Sequence, residues 1–430
     1  MTGAGNGRAG PDRRDRRDPV LVVGAGPVGL TAAILLANRG LPVTVLEAEP
    51  EPRTDWRAST FHAATLELLD HAGVVEQMHA EGLVVPRYQL RDRRHGLVAE
   101  FDFSALADVT RYPYRLQLNQ QRLVGILLER LARRSDVSVR FGARVESVRA
   151  DGDGVEAVLG TGAGTGQRRV RGSYLVGADG AASAVRKSLG IRFDGITYPQ
   201  RFCIVSVAEQ LDELVPGIAP VAYLADPDEW LFLLRTPESW RVVFPVPADE
   251  PAEHATDLAV IARRLQGVAD HPPGYRVIDR QLYPVHQRVA ETLRVGPVLL
   301  AGDAGHINSP LGGMGLNSGL HDAVDLAIRL ARVWYGDTDG SGGPDAELDA
   351  YSARRRAVAL EFVRADTHRN TVMLAERDEA VRARNRRELA EVAADPVRAR
   401  EWMMRASMLA PVRAHGIGAR PGAPTEGSQG

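Results

Sequence analysis

Three glycines with the spacing Gly-x-Gly-x-x-Gly are the first residues of the chain whose pattern indicates chemistry. Gly24, Gly26 and Gly29 follow a short apolar, β-branched run at 20–23 and open an apolar helical pattern. In such a strand–turn–helix unit the first glycine permits a tight turn, the second lets a pyrophosphate approach the backbone, and the third lets helix and strand pack closely. The helix N-terminus supplies N–H groups and partial positive charge. The spacing therefore predicts a dinucleotide site.

Glu47 narrows the chemistry of that dinucleotide. It ends the next strand pattern, 18 residues after Gly29. A carboxylate at this place accepts hydrogen bonds from both hydroxyls of an adenosine ribose, and it repels a 2′-phosphate. The pattern therefore disfavours NADP at this site, but by itself it does not separate NAD from FAD.

Two later segments repeat the change from strand to loop to helix. Residues 174–191, YLVGADGAASAVRKSLGI, combine a strand pattern that ends near Asp179 with Ser183 and Arg186 at the start of a helix. Residues 302–323, GDAGHINSPLGGMGLNSGLHDA, lie between the apolar run VGPVLLA and another helix. A plain turn would connect that strand to its helix, so the additional Asp, Pro and glycines indicate that a ligand lies against this backbone.

Together these motifs resemble the p-hydroxybenzoate hydroxylase family, the single-component flavoprotein monooxygenases that act as FAD-dependent aromatic hydroxylases. The similarity spans residues 19–332 and rests on four motifs in order. They are the first glycine motif, an Arg about ten residues after Glu47, the segment at 174–191, and the Pro-x-Gly-Gly-x-Gly-x-Asn of the segment at 302–323. The resemblance implies an α/β fold with a Rossmann-like, GR2-type FAD-binding domain, interleaved with an antiparallel-sheet substrate domain and followed by a C-terminal helical region.

The chemistry of residues 302–323 agrees with a bound flavin. Asp303 follows a strand at its carboxyl end, where open α/β sheets bind ligands, and its carboxylate can hold a ribityl hydroxyl or, alternatively, cap a helix. Pro310 fixes the chain direction, and the glycines after it leave room for a flat ring on the backbone. The next helix aims its N-terminal amides at the ring and stabilises negative charge there. Asn317 either caps this helix or donates to the ring.

The resemblance adds further contacts to the cofactor. It implies that Arg57 and Gln120 touch FAD, although Asn119 or Gln121 also fits the position given to Gln120. Asp179 belongs to a segment that, in relatives, supports both the flavin domain and the use of NAD(P)H. The complete set of predicted FAD-binding residues is Gly24, Gly26, Gly29, Glu47, Arg57, Gln120, Asp179, Asp303, Pro310, Gly312, Gly313, Gly315, Leu316 and Asn317.

A substrate domain is predicted where the sequence alternates between apolar and polar residues, from about residue 194 to 283. In the family such a sheet roofs the flavin and forms the substrate pocket. Arg235 stands at about the place of a carboxylate-binding arginine, with an exposed strand-end arginine as the alternative. Tyr223 is a candidate for assisting a phenol proton, and His286 for a base, with a structural role as its alternative. The predicted catalytic set is Arg57, Tyr223, Arg235, His286 and Pro310.

The domains are expected to be discontinuous in sequence. Amphipathic patterns after residue 345 predict helices that pack on the flavin domain or on a second subunit, which leaves a homodimer open. The predicted divisions are a disordered leader at 1–17, an FAD-binding domain at 18–90, 115–193 and 280–335, a substrate domain at 91–114 and 194–279, C-terminal helices at 345–411, and a disordered tail at 412–430.

Composition excludes several classes of protein. The 430 residues carry a formal net charge of −2, which gives no reason to expect nucleic acid or a membrane as partner. The single cysteine, Cys203, rules out an intramolecular disulfide and a cysteine-based metal site, and no metal is expected. One cysteine fits a reducing compartment, so a cytoplasmic location is predicted.

The resemblance implies the following reaction. NADH or NADPH reduces the FAD, O2 then gives a flavin C4a-hydroperoxide, and its distal oxygen attacks a phenolic or amino- or hydroxybenzoate-like ring. Three alternatives are a flavin-dependent reductase or desaturase of the same fold, a non-catalytic flavin-binding subunit, and an NAD-dependent dehydrogenase. The additional flavin motifs oppose the last of these.

Overall fold

The computed structural model describes residues 17–160, 168–338 and 342–417. Residues 1–16 of the predicted leader and 418–430 of the predicted tail lie outside the described residues. Within the described ranges the chain forms four sheets with helices packed around them. Among these residues we find no helix with the length and apolar character that a membrane span requires.

The strands are, in chain order, β1 (Val20–Val23), β2 (Val43–Leu46), β3 (Thr60–Phe61), β4 (Leu83–Val85), β5 (Arg87–Asp92), β6 (Gly96–Asp102), β7 (Arg115–Gln117), β8 (Val137–Arg140), β9 (Val145–Asp151), β10 (Gly154–Leu159), β11 (Arg168–Gly172), β12 (Tyr174–Gly177), β13 (Phe193–Val207), β14 (Val221–Ala225), β15 (Leu231–Arg235), β16 (Trp240–Val246), β17 (Val277–Ala290), β18 (Arg294–Val295), β19 (Val298–Leu300) and β20 (His306–Ile307).

The helices are α1 (Pro27–Ala37), α2 (Ala63–Leu69), α3 (Val75–Glu81), α4 (Gln120–Leu131), α5 (Ala184–Ser188), α6 (Leu211–Leu214), α7 (Ala252–Ala255), α8 (Leu258–Gln266), α9 (Met314–Tyr335), α10 (Gly343–Val358), α11 (Ala365–Leu374), α12 (Glu379–Ala394), α13 (Pro396–Ala406) and α14 (Leu409–Ala414). Short 3₁₀ turns span Asp70–Ala72, Phe103–Leu106 and Gly302–Ala304, and a π-helical stretch, Ala359–Arg364, joins α10 to α11.

The first sheet has the strand order β18-β19-β12-β1-β2-β8. Its strands run parallel, apart from β18, which pairs antiparallel with β19. Every residue of β1 is buried, as expected for a central parallel strand that is covered on both faces. Helix α1 packs against α9 and α4 beside this sheet. The loops after β1, β12 and β19 therefore lie at one edge, at the carboxyl ends of neighbouring strands.

The second large sheet has eight strands in the order β20-β17-β13-β16-β15-β14-β5-β6. Its pairs are antiparallel except β14 with β5, which are parallel. Alternate side chains of β13 and β16 enter two different cores, because successive residues of a strand point to opposite faces. Phe202 and Val243 join the core shared with the first sheet, whereas Cys203 and Val242 join a smaller core under α8.

Two smaller sheets complete the fold. Strands β11, β10 and β9 form an antiparallel meander, and β9 packs on α5. Strands β3 and β4 both pair antiparallel with β7, which is the central strand of the other small sheet. Arg115 and Gln117 of β7 are both buried.

The element boundaries differ from the sequence-based divisions at three points. The eight-stranded sheet corresponds to the predicted substrate domain and is called the substrate sheet below. It begins at Arg87 rather than at 91, and its strand β17 begins at Val277 and crosses the predicted boundary at 280. Helix α14 continues to Ala414, inside the predicted tail. The apolar side chains of Val412 and Ile417 are buried there, and their burial explains why this part of the tail is ordered.

Candidate active site

The first glycine loop combines close packing with one open position. A Cβ on Gly24 would lie 2.4 Å from the carbonyl oxygen of Ala178, and a Cβ on Gly29 would lie 2.0 Å from the carbonyl oxygen of Gly24. A Cβ on Gly26, in contrast, meets no atom within 4 Å. Two glycines are therefore required by the protein itself. Gly26 instead leaves free space at the N-terminus of α1, and this space fits a pyrophosphate.

Glu47 is fixed beside that loop. Its carboxylate accepts hydrogen bonds from the N–H of Ala25 at 2.6 Å and from the N–H of Glu49 at 2.9 Å. The carboxylate therefore lies at the carboxyl ends of β1 and β2, the place where Rossmann-like folds bind a ribose. Each carboxylate oxygen has two lone pairs, so acceptor capacity remains for ribose hydroxyls.

Asp303 lies in the 3₁₀ turn after β19. The Asp303 side chain is exposed to solvent on one side and surrounded by protein on the others. This partial desolvation raises the pKa of its carboxyl, although the nearby His306 and Arg57 act to lower it. The side chain caps no helix among the described residues. A carboxylate that is enclosed by protein but open on one side fits a ribityl hydroxyl of FAD.

The segment around Pro310 is a tight turn with two glycines at positive φ. Gly312 has φ +112° and Gly313 has φ +67°, and the N–H of Gly313 donates to the carbonyl of Pro310 at 2.9 Å. A Cβ on Gly315 would approach the side-chain oxygen of Asn308 to 3.0 Å. Backbone conformation and neighbouring protein atoms are therefore sufficient reasons for these glycines, besides the space that a ring requires. Leu316 is partly buried in the first turn of α9.

Asn317 is used by the protein itself. Its side-chain amide donates to the carbonyls of Gly313 at 2.6 Å and Thr60 at 2.8 Å, and its oxygen accepts from the N–H of His62 at 3.0 Å. Both donor hydrogens are therefore directed at backbone oxygens. Asn317 ties the start of α9 to β3, and no donor remains directed at a ring.

The segment after β12 is tied to the segment after β19. Asp179 accepts hydrogen bonds from the Ser183 hydroxyl at 2.6 Å and from the N–H of Val185 at 3.1 Å, so its carboxylate stabilises the start of α5. Arg186 donates to the carbonyls of Ala181 and Ala304, both at 2.8 Å. One buried arginine therefore links the two loops that the sequence analysis assigned to the cofactor.

Arg57 lies in an irregular segment between β2 and β3. Its side chain is half exposed and pairs with Asp55, and its backbone carbonyl accepts from Arg241 at 2.5 Å. Arg241 is buried in β16 and also bonds Ser59. The substrate sheet therefore anchors the segment whose positive charge reaches Asp303.

The three candidates for the glutamine position have different environments. Asn119 is buried and bonds Glu238 and Arg241. The side-chain oxygen of Gln121 is buried without a hydrogen-bond partner among the described residues. Gln120 is partly exposed as the first residue of α4, and its N–H donates to the carbonyl of Ala58 at 3.0 Å. Of the three, Gln120 combines access to solvent with a side chain that has no bond within the described chain.

A cavity opens between the substrate sheet, the Gly312 turn and the C-terminal helices. Its walls include Tyr88 and Tyr223 from the sheet, Gly312 and Met314 from the turn, and residues of α11 and α13. The Tyr223 ring stacks on Phe232 with centroids 4.6 Å apart. Apolar and aromatic walls next to the Gly312 turn suit a flat organic substrate.

Of the three predicted substrate-side residues, Arg235 and His286 lie outside the lining of this cavity, as do Arg57 and Pro310 of the predicted catalytic set. Arg235 forms an ion pair with Asp212 at 2.9 Å, at the end of β15. His286 bonds the hydroxyl of Thr197 at 2.8 Å on β17. Tyr223 is thus the residue of the predicted substrate-side set that the structure places in the cavity wall. The described residues also include no group of three or more His, Cys, Asp or Glu side chains arranged to hold a metal.

Comparison with known proteins decides the family. Residues 17–366 match the family described as FAD binding domain. The para-nitrophenol 4-monooxygenase of Pseudomonas sp. (strain WBC-3) is 34% identical over 390 residues, 90% of this chain and 94% of that protein. The chain belongs to the FAD-dependent aromatic hydroxylases. The resemblance found in the sequence and the fold class that it implied are thereby confirmed.

Further relatives agree. The 6-hydroxy-3-succinoylpyridine 3-monooxygenase of Pseudomonas putida (strain DSM 28022 / S16) is 34% identical over 346 residues. The match covers 80% of the present chain and 86% of that relative. The crystal structure of p-nitrophenol 4-monooxygenase from Pseudomonas putida DLL-E4 matches 91% of the chain and 98% of its own, with 31% identity and a TM-score of 0.85. The hydroxylase is therefore an FAD-dependent monooxygenase.

His62 is a residue of the hydroxylase site that sequence reasoning missed. Its ring Nε2 lies 2.8 Å from the carbonyl oxygen of Gly312, to which it donates. Burial, together with the positive charge of Arg115, lowers the pKa of His62 to about 3, so the ring is neutral. No motif marks this histidine, because its partner lies 250 residues away in sequence.

A buried ion pair under the Gly302 turn was also missed. Asp322 accepts from the N–H of Gly302 at 2.9 Å, from His306 Nε2 at 2.7 Å and from Arg355 Nε at 2.5 Å. Neither Asp322 nor Arg355 is exposed. These bonds hold the pKa of Asp322 at about 2 despite its burial. An arginine of α10 therefore stabilises the turn that carries Asp303.

Proposed function

We propose that the hydroxylase uses NADH or NADPH and O2 to add one oxygen atom to a phenolic ring bound in the cavity beside Gly312. The observation that carries this proposal is the position of the cavity. Its aromatic wall, which includes Tyr88 and Tyr223, meets the turn at Gly312 and Met314. A flavin held on that turn and a ring held by that wall would be neighbours, as transfer of an oxygen atom requires.

The residues on the cofactor side bind and orient FAD. The open space at Gly26 takes the pyrophosphate, Glu47 holds the adenosine ribose, and Asp303 holds the ribityl chain. Buried bonds from Asn317 and Arg186 keep the surrounding loops in place. When bound, FAD would pass the two electrons of NADH or NADPH to O2, so that one oxygen atom of O2 enters the ring and the other leaves as water.

The residues on the substrate side exclude water from the bound ring, and their tyrosine hydroxyls donate hydrogen bonds to its oxygen. Tyr88 accepts a hydrogen bond from Trp402 Nε1 at 2.5 Å, and burial raises the pKa of Tyr88 to about 12. Tyr88 therefore keeps its proton near neutral pH and can donate a hydrogen bond to a substrate oxygen. We assign the hydroxyl of Tyr223 to the same substrate contact, since its ring lies beside that of Tyr88 in the cavity wall and its hydroxyl has no hydrogen bond within the described chain.

Two relatives that match the chain over most of their own length suggest the size of the substrate. Their names give p-nitrophenol and 6-hydroxy-3-succinoylpyridine, each with one hydroxylated six-membered ring. The anhydrotetracycline hydroxylase from Streptomyces rimosus covers 92% of the chain but only 76% of its own, with 31% identity and a TM-score of 0.74. These matches favour a single hydroxylated ring over a fused polycycle as the class of substrate.

The test is to purify the protein and measure cofactor, oxygen and product together. A bound flavin spectrum, ring-stimulated oxidation of NADH or NADPH, and a product heavier by one oxygen atom would support the proposal. Flavin binding with turnover but no oxygen uptake would instead indicate a reductase or desaturase. Flavin binding without turnover on single-ring and polycyclic phenols would indicate a non-catalytic subunit, and either result would refute the proposal.

A further inference from the structure

We infer that Arg115 binds a negatively charged oxygen of the aromatic substrate. The inference rests on the proposed function, because it concerns the same cavity, and it assigns an anionic aromatic molecule as the ligand. Arg115 begins β7, the central strand of the small sheet β3-β7-β4. Neither its residue type nor its spacing marks it in the sequence.

Arg115 carries a buried charge that has no acidic partner. The residue is 3% exposed, yet it forms no ion pair with a carboxylate in the described part of the chain. Its guanidinium lies 4.3 Å from the centroid of the Tyr88 ring and 5.4 Å from that of Phe103. Aromatic faces compensate a buried cation only in part. An arginine stays charged, so a bound anion would recover the free energy lost in burial.

Arg115 lines the substrate cavity itself. It shares this wall with Tyr88, Tyr223 and Gly312. Its charge also lowers the pKa of His62, whose ring donates to the carbonyl of Gly312, and Gly312 and Arg115 line the same cavity. An anionic oxygen bound there would be held close to the reacting part of the substrate.

The other charged groups of the cavity wall leave it positive. Three arginines and one aspartate line it: Arg115, Arg369, Arg405 and Asp366. Asp366 is nearly buried and is shared by Arg369 and Arg405, each at 2.9 Å. This one carboxylate cannot neutralise all three guanidinium groups. The excess of positive charge along this partly aromatic wall, among the described residues, favours an anion over a neutral ring of the same shape.

The test measures binding to the FAD-loaded protein through the change in flavin absorbance. The probes are two pairs of aromatic molecules that differ in charge: 4-nitrophenol, at a pH where it is ionised, with 4-nitroanisole, and benzoate with benzamide. We expect wild type to bind the anion of at least one pair more tightly than its neutral partner. Arg115→Met should raise the Kd of that anion by at least about tenfold and change that of the neutral partner little.

Two further variants separate charge from packing. Arg115→Lys should recover part of the affinity for the anion, because the charge is kept while the planar fork is lost. Arg87→Met is the matched control. Arg87 begins β5 of the substrate sheet, is 56% exposed and lies 3.8 Å from Glu100, outside the cavity wall, so its loss should leave both Kd values unchanged.

Four outcomes would overturn the inference. They are a wild type that prefers no anion, an Arg115→Met variant that loses both members of a pair equally, one that loses neither, and an anion affinity that depends on Arg235 instead. If Arg115→Met does not retain FAD, the preference of wild type and the Arg115→Lys result decide. Failure to hydroxylate any ring would refute the proposed function without affecting the anion preference, so the two failures are distinguishable.

Discussion

The cofactor side and the proposed substrate side of the hydroxylase are formed by different parts of the chain, backbone in the first case and side chains in the second. Around Gly26 and Gly312 the site consists mainly of backbone, whose shape is set by glycines and helix ends. The substrate cavity consists of side chains from the sheet, the small strand β7 and helices α11 and α13. A backbone site needs a fixed local sequence, whereas a side-chain site can be assembled from residues that lie far apart. This difference explains why one side has a readable motif.

The largest expected effect tests the backbone site. In Gly26→Val the added side chain enters open protein space, so the fold should persist, but it fills the place of the pyrophosphate. We expect no FAD to remain bound through purification. Gly24→Val is the contrast, because its Cβ would lie 2.4 Å from a backbone oxygen at φ +104°, and it should unfold the domain. Flavin absorbance and thermal melting of both variants check this. A Gly26→Val protein with full flavin content would contradict the assignment.

The second prediction concerns hidden side-chain support of the backbone site. Arg355→Met breaks the buried ion pair under the Gly302 turn and leaves Asp322 with only His306 and the Gly302 N–H as partners. Breaking a fully buried pair costs about 3–5 kcal/mol of stability. Urea denaturation at a fixed FAD concentration measures this loss. Arg354→Met is the control, since Arg354 is partly exposed and lies 3.4 Å from Asp325, and should cost about 1 kcal/mol or less. Equal losses of unfolding free energy in the two variants would show that burial of the ion pair does not determine its contribution to stability.

A third prediction uses pH to examine the buried His62 ring, which donates a hydrogen bond to the carbonyl of Gly312. His62 has a pKa of about 3 when folded, against an ordinary value of 6.5. Between these values the unfolded chain binds a proton that the folded protein does not, so stability is present above pH 6.5 and is lost as the pH falls. The share of His62 is at most about 1.4 kcal/mol per pH unit. His62→Gln should make the dependence of unfolding free energy on pH shallower by that amount, and an unchanged slope would refute the buried, neutral state.

The smallest expected effect lies where the two sides meet. Arg57→Ala should bind FAD only a few-fold less tightly, because its side chain is half exposed. Its main effect should be on coupling, since its charge lies near Asp303 and its segment is anchored by the substrate sheet. We expect more hydrogen peroxide per NAD(P)H oxidised than in wild type. Parallel measurement of O2, peroxide and product checks this, and coupling as tight as in wild type would exclude a positional role.

These contrasts show how far the sequence determines the site. The family and the α/β fold followed from four local motifs, each of which encodes a backbone shape that few other residues permit. On the substrate side, the family resemblance suggested Arg235 and residue type suggested His286, and the structure places both outside the cavity. Arg115 and His62 had no signal, because their importance depends on neighbours brought together by folding. Burial without a partner is a property of three-dimensional packing, not of local pattern.

The contribution of the C-terminal helices has a consequence for the time at which the enzyme matures. Arg355 of α10 completes the support of the Asp303 turn, and α11 and α13 complete the cavity wall. On the ribosome, the glycine loop at Gly24 leaves the exit tunnel long before these helices are synthesised. A nascent chain therefore lacks the Arg355 support of the Asp303 turn until α10 has been synthesised and has packed. We expect tight binding of the cofactor only after that point, and a chain interrupted before α10 would lack a finished site.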